Sequence, residues 1–159
     1  MPSYWLMKSE PGVYSIDDLR RDKKTCWEGI RNYRARNYMR DMKKGDRVLF
    51  YHSNAKPSAV VGLAKVVRES YPDLYALDRS SKYYDPRAAG TAGTAGAAAD
   101  NPRWFMVDVG FERKFPVPVS LAAIKASPQL EKMVLVNNSR LSVQPVTERE
   151  FELVLGMAG

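Results

Sequence analysis

Two apolar runs set the strongest limit on how this chain can fold. Arg47 to His52 (RVLFYH) and Val60 to Glu69 (VVGLAKVVRE) are rich in β-branched and aromatic residues and are divided by the polar, proline-containing loop SNAKPS. Side chains of that kind pack well on a pleated surface, so the two runs are expected to form paired strands. Gly62 inside the second run marks a bulge or the tight bend of a barrel. Residues 3 to 8 (SYWLMK) read as a further core strand ending in the Glu10-Pro11-Gly12 turn. Trp104 to Phe115 alternates as another, which Pro116 and Pro118 should end or confine to an edge. Residues 140 to 146 (RLSVQPV) supply a last strand.

Helices are announced by their starts. Ser15 followed three residues later by Asp18 predicts a short helix to about Lys23, and Thr147 followed by Glu150 opens a terminal helix through Leu155, stopped by Gly156. Ala35, Met39 and Met42 recur at helical spacing, which predicts a one-sided helix over about residues 32 to 42. Residues 120 to 125 form a short helix, and Ser127-Pro128 is an N-cap with proline at the first helical position. Residues 71 to 85 read as loop. Short strands with peripheral helices and no regular βαβ alternation predict an α+β fold, a small mixed barrel of about five to six strands with flanking helices.

The chain has 159 residues, enough for one compact domain with a real core. A single domain over residues 1–159 is expected, with a flexible Ala/Gly/Thr-rich insertion at about 88–100. No apolar run approaches 18 residues, and the opening MPSYWLMKSEP lacks a secretory pattern. A soluble cytoplasmic protein without a membrane partner is expected, nucleoid-associated if bacterial, and monomeric. Cys26 is the lone cysteine and has no CxxC or CxH neighbour. It reads as a buried small hydrophobe, with a reactive thiol as the alternative.

Charge is concentrated. Residues 20 to 44 carry ten Lys or Arg against three acids, a net of +7, while outside this segment 15 bases balance 15 acids. A concentrated positive field attracts a phosphate backbone, although basic runs also occur as solvated helix faces. Asn32, Tyr33, Asn37 and Tyr38 are interleaved with the bases and add amides and flat rings, which favours a nucleic-acid surface.

The blocks YWLMKSEP at 4 to 11, WEGIRNYRARNY at 27 to 38, MKKGDRVLFYHSN at 42 to 54, VVGLAKVV at 60 to 67, YPD at 71 to 73, RWFMVDV at 103 to 109 and SRLSVQPV at 139 to 146 span nearly the whole chain. Together they resemble the EVE domain, a branch of the PUA-like superfamily, and within it the group that joins thymocyte nuclear proteins to bacterial relatives. The resemblance implies a PUA-like β-barrel and a role in binding modified bases by enclosing a flipped base. It implies no reaction. The chain begins almost at its first strand, without a long basic extension, which favours a bacterial-type member.

A base pocket needs a ring to stack on and polar groups matched to the base edge. Trp5, Trp27 and Trp104 are the candidate rings, each with core packing as the competing role. Trp27 is favoured because it adjoins Gly29, where a backbone can approach a ligand closely. Ser9, Glu10, Asn32, Asn37, Ser53, Asn54 and Asp73 supply the carboxylate, amide and hydroxyl mixture that a cytosine edge requires. His52 joins them, with a structural hydrogen bond as its competing role. Lys8, Arg31, Arg36, Arg40, Lys43 and Lys44 are the candidate phosphate contacts; for Lys8 and Arg31 a salt bridge to Glu10 or Glu28 competes.

No GxSxG, HExxH, Walker or GxGxxG pattern is present, so no catalytic or metal-binding set and no cofactor is expected. The leading expectation is a non-enzymatic reader of a modified base, a 5-substituted cytosine in DNA. Two alternatives stand beside it. One is a PUA-type RNA-binding module acting on tRNA or rRNA; the other is a nucleotide-acting enzyme with Glu10 or Asp73 as general base and His52 as partner.

Overall fold

Alternation along the strands sends side chains to two opposite faces, and both faces are covered. The structure, a computed structural model, describes residues 2–86, 103–138 and 140–158. Six strands, β1 (Tyr4–Ser9), β2 (Lys24–Cys26), β3 (Arg47–His52), β4 (Ala59–Pro72), β5 (Phe105–Ser120) and β6 (Val143–Val146), make one sheet in the order β2-β5-β4-β3-β1-β6. β1 and β3 are parallel, and every other neighbouring pair is antiparallel.

One face carries Trp5, Met7, Val48, Phe50, Val107 and Val109 beneath helices α1 (Ile16–Asp22) and α2 (Tyr33–Asp41). The other carries Leu6, Leu49, Tyr51, Phe115 and Val119 beneath α3 (Leu121–Ala126), α4 (Val134–Asn137) and α5 (Glu148–Met157). A fully buried side chain such as Phe50 or Leu6 contributes about 1.5–3 kcal/mol relative to its exposed state. Both expected capping boxes are formed, Ser15 with Asp18 and Thr147 with Glu150. Ser127 makes no side-chain cap bond, and Pro128–Leu130 is only a single 3-10 turn.

The bulge expected at Gly62 is visible in the parity of β4. Ala59 and Val61 face the α1/α2 side, but beyond Gly62 that side is taken by Ala64 and Val66. Pairing with β3 slips at the same place, between Phe50 and Tyr51, and one extra residue reverses which face each later side chain meets. Gly62 has no room for a side chain, because an added Cβ would strike the Arg113 carbonyl and Ile16.

Three further expectations change. The sheet is open: among the described residues no pairing joins the β2 edge to the β6 edge, as closure into a barrel would require. β2 has only three residues, and Pro145 in β6 lacks an N–H to offer a further strand. Second, β5 runs through Pro116 and Pro118 to Ser120; they lie where the register with β4 slips between Lys114 and Val119, so neither must donate to a regular ladder. Third, β4 continues to Pro72, and Leu74–Leu77 is a 3-10 turn capped by the Asp73 carboxylate, within the span expected to be loop. The expected insertion at 88–100 lies outside the described residues.

Candidate nucleic-acid interface

β1 ends at Ser9, and its last residues share a cavity with the segment that leaves β2. The cavity measures about 390 Å³, within the range of small-molecule sites, and Lys8, Ser9, Glu10, Cys26, Trp27, Glu28, Gly29 and Tyr83 are among its walls. Trp27 is fixed by its backbone N–H, which donates to Val107 O at 2.7 Å, and its ring meets Phe50 edge-on at 5.5 Å. Only 8% of the residue is exposed, so most of the indole belongs to the core while the remainder serves the cavity.

Polar groups around the cavity are already oriented. The Ser9 hydroxyl donates to Tyr14 O, leaving its lone pairs as acceptors. Asn54, in the left-handed region at φ 50°, donates its side-chain amide to Glu10 Oε1. The Cys26 thiol donates to Glu28 Oε2 at 3.2 Å. Burial, with the Glu28 carboxylate beside it, pushes that thiol up to about 12, so it is not a ready nucleophile. Burial lowers the Lys8 pKa, and its ammonium lies 5.6 Å from the Tyr51 ring centre.

Gly29, at φ +84°, packs so tightly that a Cβ there would meet the Tyr83 ring, with Cζ only 2.8 Å away. Its N–H donates to Asp73 Oδ2 at 2.9 Å. Asp73 is fully buried at its side chain; it also pairs with Arg31 Nη1 at 3.0 Å and accepts from Tyr75 N–H at 3.0 Å. Arg31 directs Nε and Nη2 to Tyr83 O at 3.2 and 2.6 Å and Nη1 also to Ile30 O at 2.9 Å.

Of the expected pocket residues, Ser9, Glu10 and Trp27 stand together in the cavity wall, and Asn54 bonds Glu10 at its rim. The expected phosphate contact Lys8 also lies in that wall. Trp5 and Trp104 are elsewhere, 6% and 3% exposed, with their indole N–H groups on Asp46 and Asp85. Asn32 caps α2 by accepting from Ala35 N–H, and Asn37 accepts from the Arg36 guanidinium. His52 Nε2 accepts from Ile16 N–H at 3.1 Å, so the ring is the neutral Nδ1–H tautomer. Ser53 donates its backbone N–H to Ser9 O, supporting the strand end from behind.

Arg31 was expected at a phosphate and is instead turned inward onto Asp73 and Tyr83, because a guanidinium with five donors satisfies several buried acceptors at once. Arg36 spans Tyr33, at 4.8 Å from the ring centre, and Arg103 O. Arg40 lies over Phe105 at 4.7 Å, and Arg34 over Tyr38 at 5.9 Å. Arg34, Arg40, Lys43 and Lys44 are exposed, and among the described residues none of them has a carboxylate partner on its side chain. Glu28, Gly29 and Tyr83 were missed as pocket candidates. Glu28 and Gly29 directly follow Trp27 and were within reach of its logic; Tyr83 arrives from 54 positions beyond Gly29, in a stretch without pattern.

The model of the EVE domain matches residues 3–157. The chain belongs to the EVE domain family. Human thymocyte nuclear protein 1 is 42% identical over 99% of this chain and 74% of that protein. A hypothetical protein from Leishmania major has a structure matching at a TM-score of 0.90 and 47% identity, covering 99% of this chain and 95% of the other. Human THYN1 protein in complex with DNA containing 5-methylcytosine matches at a TM-score of 0.86 and 42% identity, covering 98% and 97%. Among the described residues of this EVE domain no helix is long and apolar enough to cross a membrane, and no cluster of His, Cys, Asp or Glu could hold a metal.

Proposed function

We propose that this EVE domain binds DNA and reads a 5-substituted cytosine by taking the flipped base into the cavity beside Trp27. The observation that carries the reading is the likeness, over nearly the full chain, to the human protein in complex with 5-methylcytosine DNA. The cavity's chemistry agrees with it. Cytosine presents an exocyclic amino donor and ring acceptors. Glu10 and Glu28 each retain an oxygen not used by Asn54 or Cys26, and Ser9 retains its lone pairs, so the amino group has acceptors to meet. Lys8 is the donor for the base's carbonyl oxygen, and Val13 and Ile30 give the 5-substituent apolar surface. Trp27 and Tyr83 are the flat walls, with stacking worth about 1–3 kcal/mol per base.

The DNA backbone is engaged by the exposed face of α2 and its C-terminal turn, where, among the described residues, Arg34, Arg40, Lys43 and Lys44 have no carboxylate partner on their side chains. Holding a guanidinium over an aromatic face restricts its motion and leaves its edge N–H groups for phosphate. The role is binding without turnover: His52 is committed to the Ile16 amide, and the Cys26 thiol is held protonated.

Titrating the protein with duplexes that differ by one 5-methyl group, at several salt concentrations, tests this reading. Tighter binding to the methylated duplex at every salt supports it. Equal affinities would reduce the protein to a non-specific binder, and a preference for RNA of the same sequence would make the 2′-hydroxyl the recognised group.

A further inference from the structure

The geometry points to the Arg31–Asp73 ion pair as the positioning device that sets the base cavity, by clamping the Tyr83 wall onto the Trp27–Gly29 wall. The inference rests on the proposed reading of that cavity, and it concerns two residues that touch no base. The walls come from segments far apart in sequence, one following β2 and the other following the 3-10 turn. Asp73 holds the first segment through the Gly29 N–H and starts the second by capping Tyr75. Arg31 belongs to the first segment and holds the second through two bonds to Tyr83 O. The two side chains join each other at 3.0 Å, with the carboxylate fully out of water.

A buried ion pair is weak evidence for stability, because desolvation offsets much of its attraction. It is well suited to position, since a bidentate guanidinium and a carboxylate with three donors permit few geometries. What it positions is unusually constrained. Gly29 leaves no space for even a methyl group before the Tyr83 ring, so ring and backbone are in register only if both segments stay at their present spacing. Pockets that discriminate a single methyl group need that fixity, because a wall free to shift accommodates both bases alike.

The test combines NMR with titration. In wild type, a nuclear Overhauser contact between the Tyr83 ring and the Gly29 Hα protons is expected. Asp73→Asn removes the charge with little change of shape, and Arg31→Lys keeps the charge while losing the fork. Both are expected to lose that contact and to lower the affinity ratio between 5-methylcytosine and cytosine duplexes by about fivefold or more, the size of one lost stacking contact. The salt slope stays unchanged. Tyr83→Ala keeps the carbonyl that Arg31 grips; it is expected to lose the ratio while the Gly29 amide remains protected from exchange, which serves if Asp73→Asn fails to fold. A folded Asp73→Asn or Arg31→Lys protein that keeps the contact, or loses it with the ratio intact, overturns the clamp. A wild type without any base preference overturns the cavity reading instead, and the Tyr83–Gly29 contact in the variants then still decides whether the pair holds the walls together.

Discussion

The indole N–H of Trp5 donates to the buried carboxylate of Asp46 at 2.9 Å. Asp46 also accepts from the backbone N–H groups of Ser3 and Lys43, so one carboxylate ties the start of β1 to the turn between α2 and β3. Trp5→Phe keeps an aromatic ring in the core but removes one bond to a carboxylate and part of the buried ring, an expected loss of at least about 1.5–3 kcal/mol in denaturant unfolding. Its preference between modified and plain duplexes should match wild type. A variant of full stability with altered preference would put Trp5 back at the base.

The arginine and lysine face carries charge without shape. Arg40→Ala and Lys44→Ala are each expected to weaken binding to all duplexes alike and to lower the slope of log affinity against log salt by about 0.9 per lost phosphate contact. The ratio between methylated and plain duplexes should be unchanged. Titrations at three or more salt concentrations read both quantities; a flat response in slope would remove these residues from the backbone contact.

His52 gives the fold a pH dependence. Burial holds its pKa below the ordinary 6.5, and protonation would set an N–H against the Ile16 N–H it now accepts from. Between the folded and unfolded values the unfolded chain binds more protons, so stability rises with pH. The contribution is complete above about pH 6.5 and is lost as pH falls through the folded value. Denaturant midpoints measured across this range should decline toward acid in wild type, with a shallower decline in His52→Gln. Identical profiles would show that His52 titrates alike in both states.

Local signals in the sequence carried over to the structure where the physics is local. The capping boxes at Ser15 and Thr147 need only neighbours three residues away, and the bulge at Gly62 follows from a missing side chain in an apolar run. The open sheet was not legible, since closure depends on whether distant edges meet. Pro116 and Pro118 misled for a related reason: a proline stops a strand only where its N–H is needed, and the register slip opposite β4 removes that need.

The sequence singles out Trp27 and the Ser9-Glu10 pair because a ring close to a glycine and a polar strand end are chemical signals, and the structure brings these three residues to one cavity wall. Asn32, Arg31 and Asp73 are equally polar candidates and yet cap, brace and bury, distinctions made only by what folds against them. Tyr83 gave no signal, because its place against Gly29 is a contact between segments far apart in sequence.

The most direct test of the cavity is a cross of one protein change with one DNA change. Wild type and Trp27→Ala are titrated with duplexes carrying cytosine or 5-methylcytosine at a single position, with thermal melts run alongside because loss of a core aromatic costs about 3–5 kcal/mol of stability. A folded Trp27→Ala protein is expected to lose about 1–3 kcal/mol on the methylated duplex, little on the plain one, and nothing in salt slope. Full discrimination retained by folded Trp27→Ala, with discrimination lost instead in Arg40→Ala, would contradict the assignment of base to cavity and phosphate to helix.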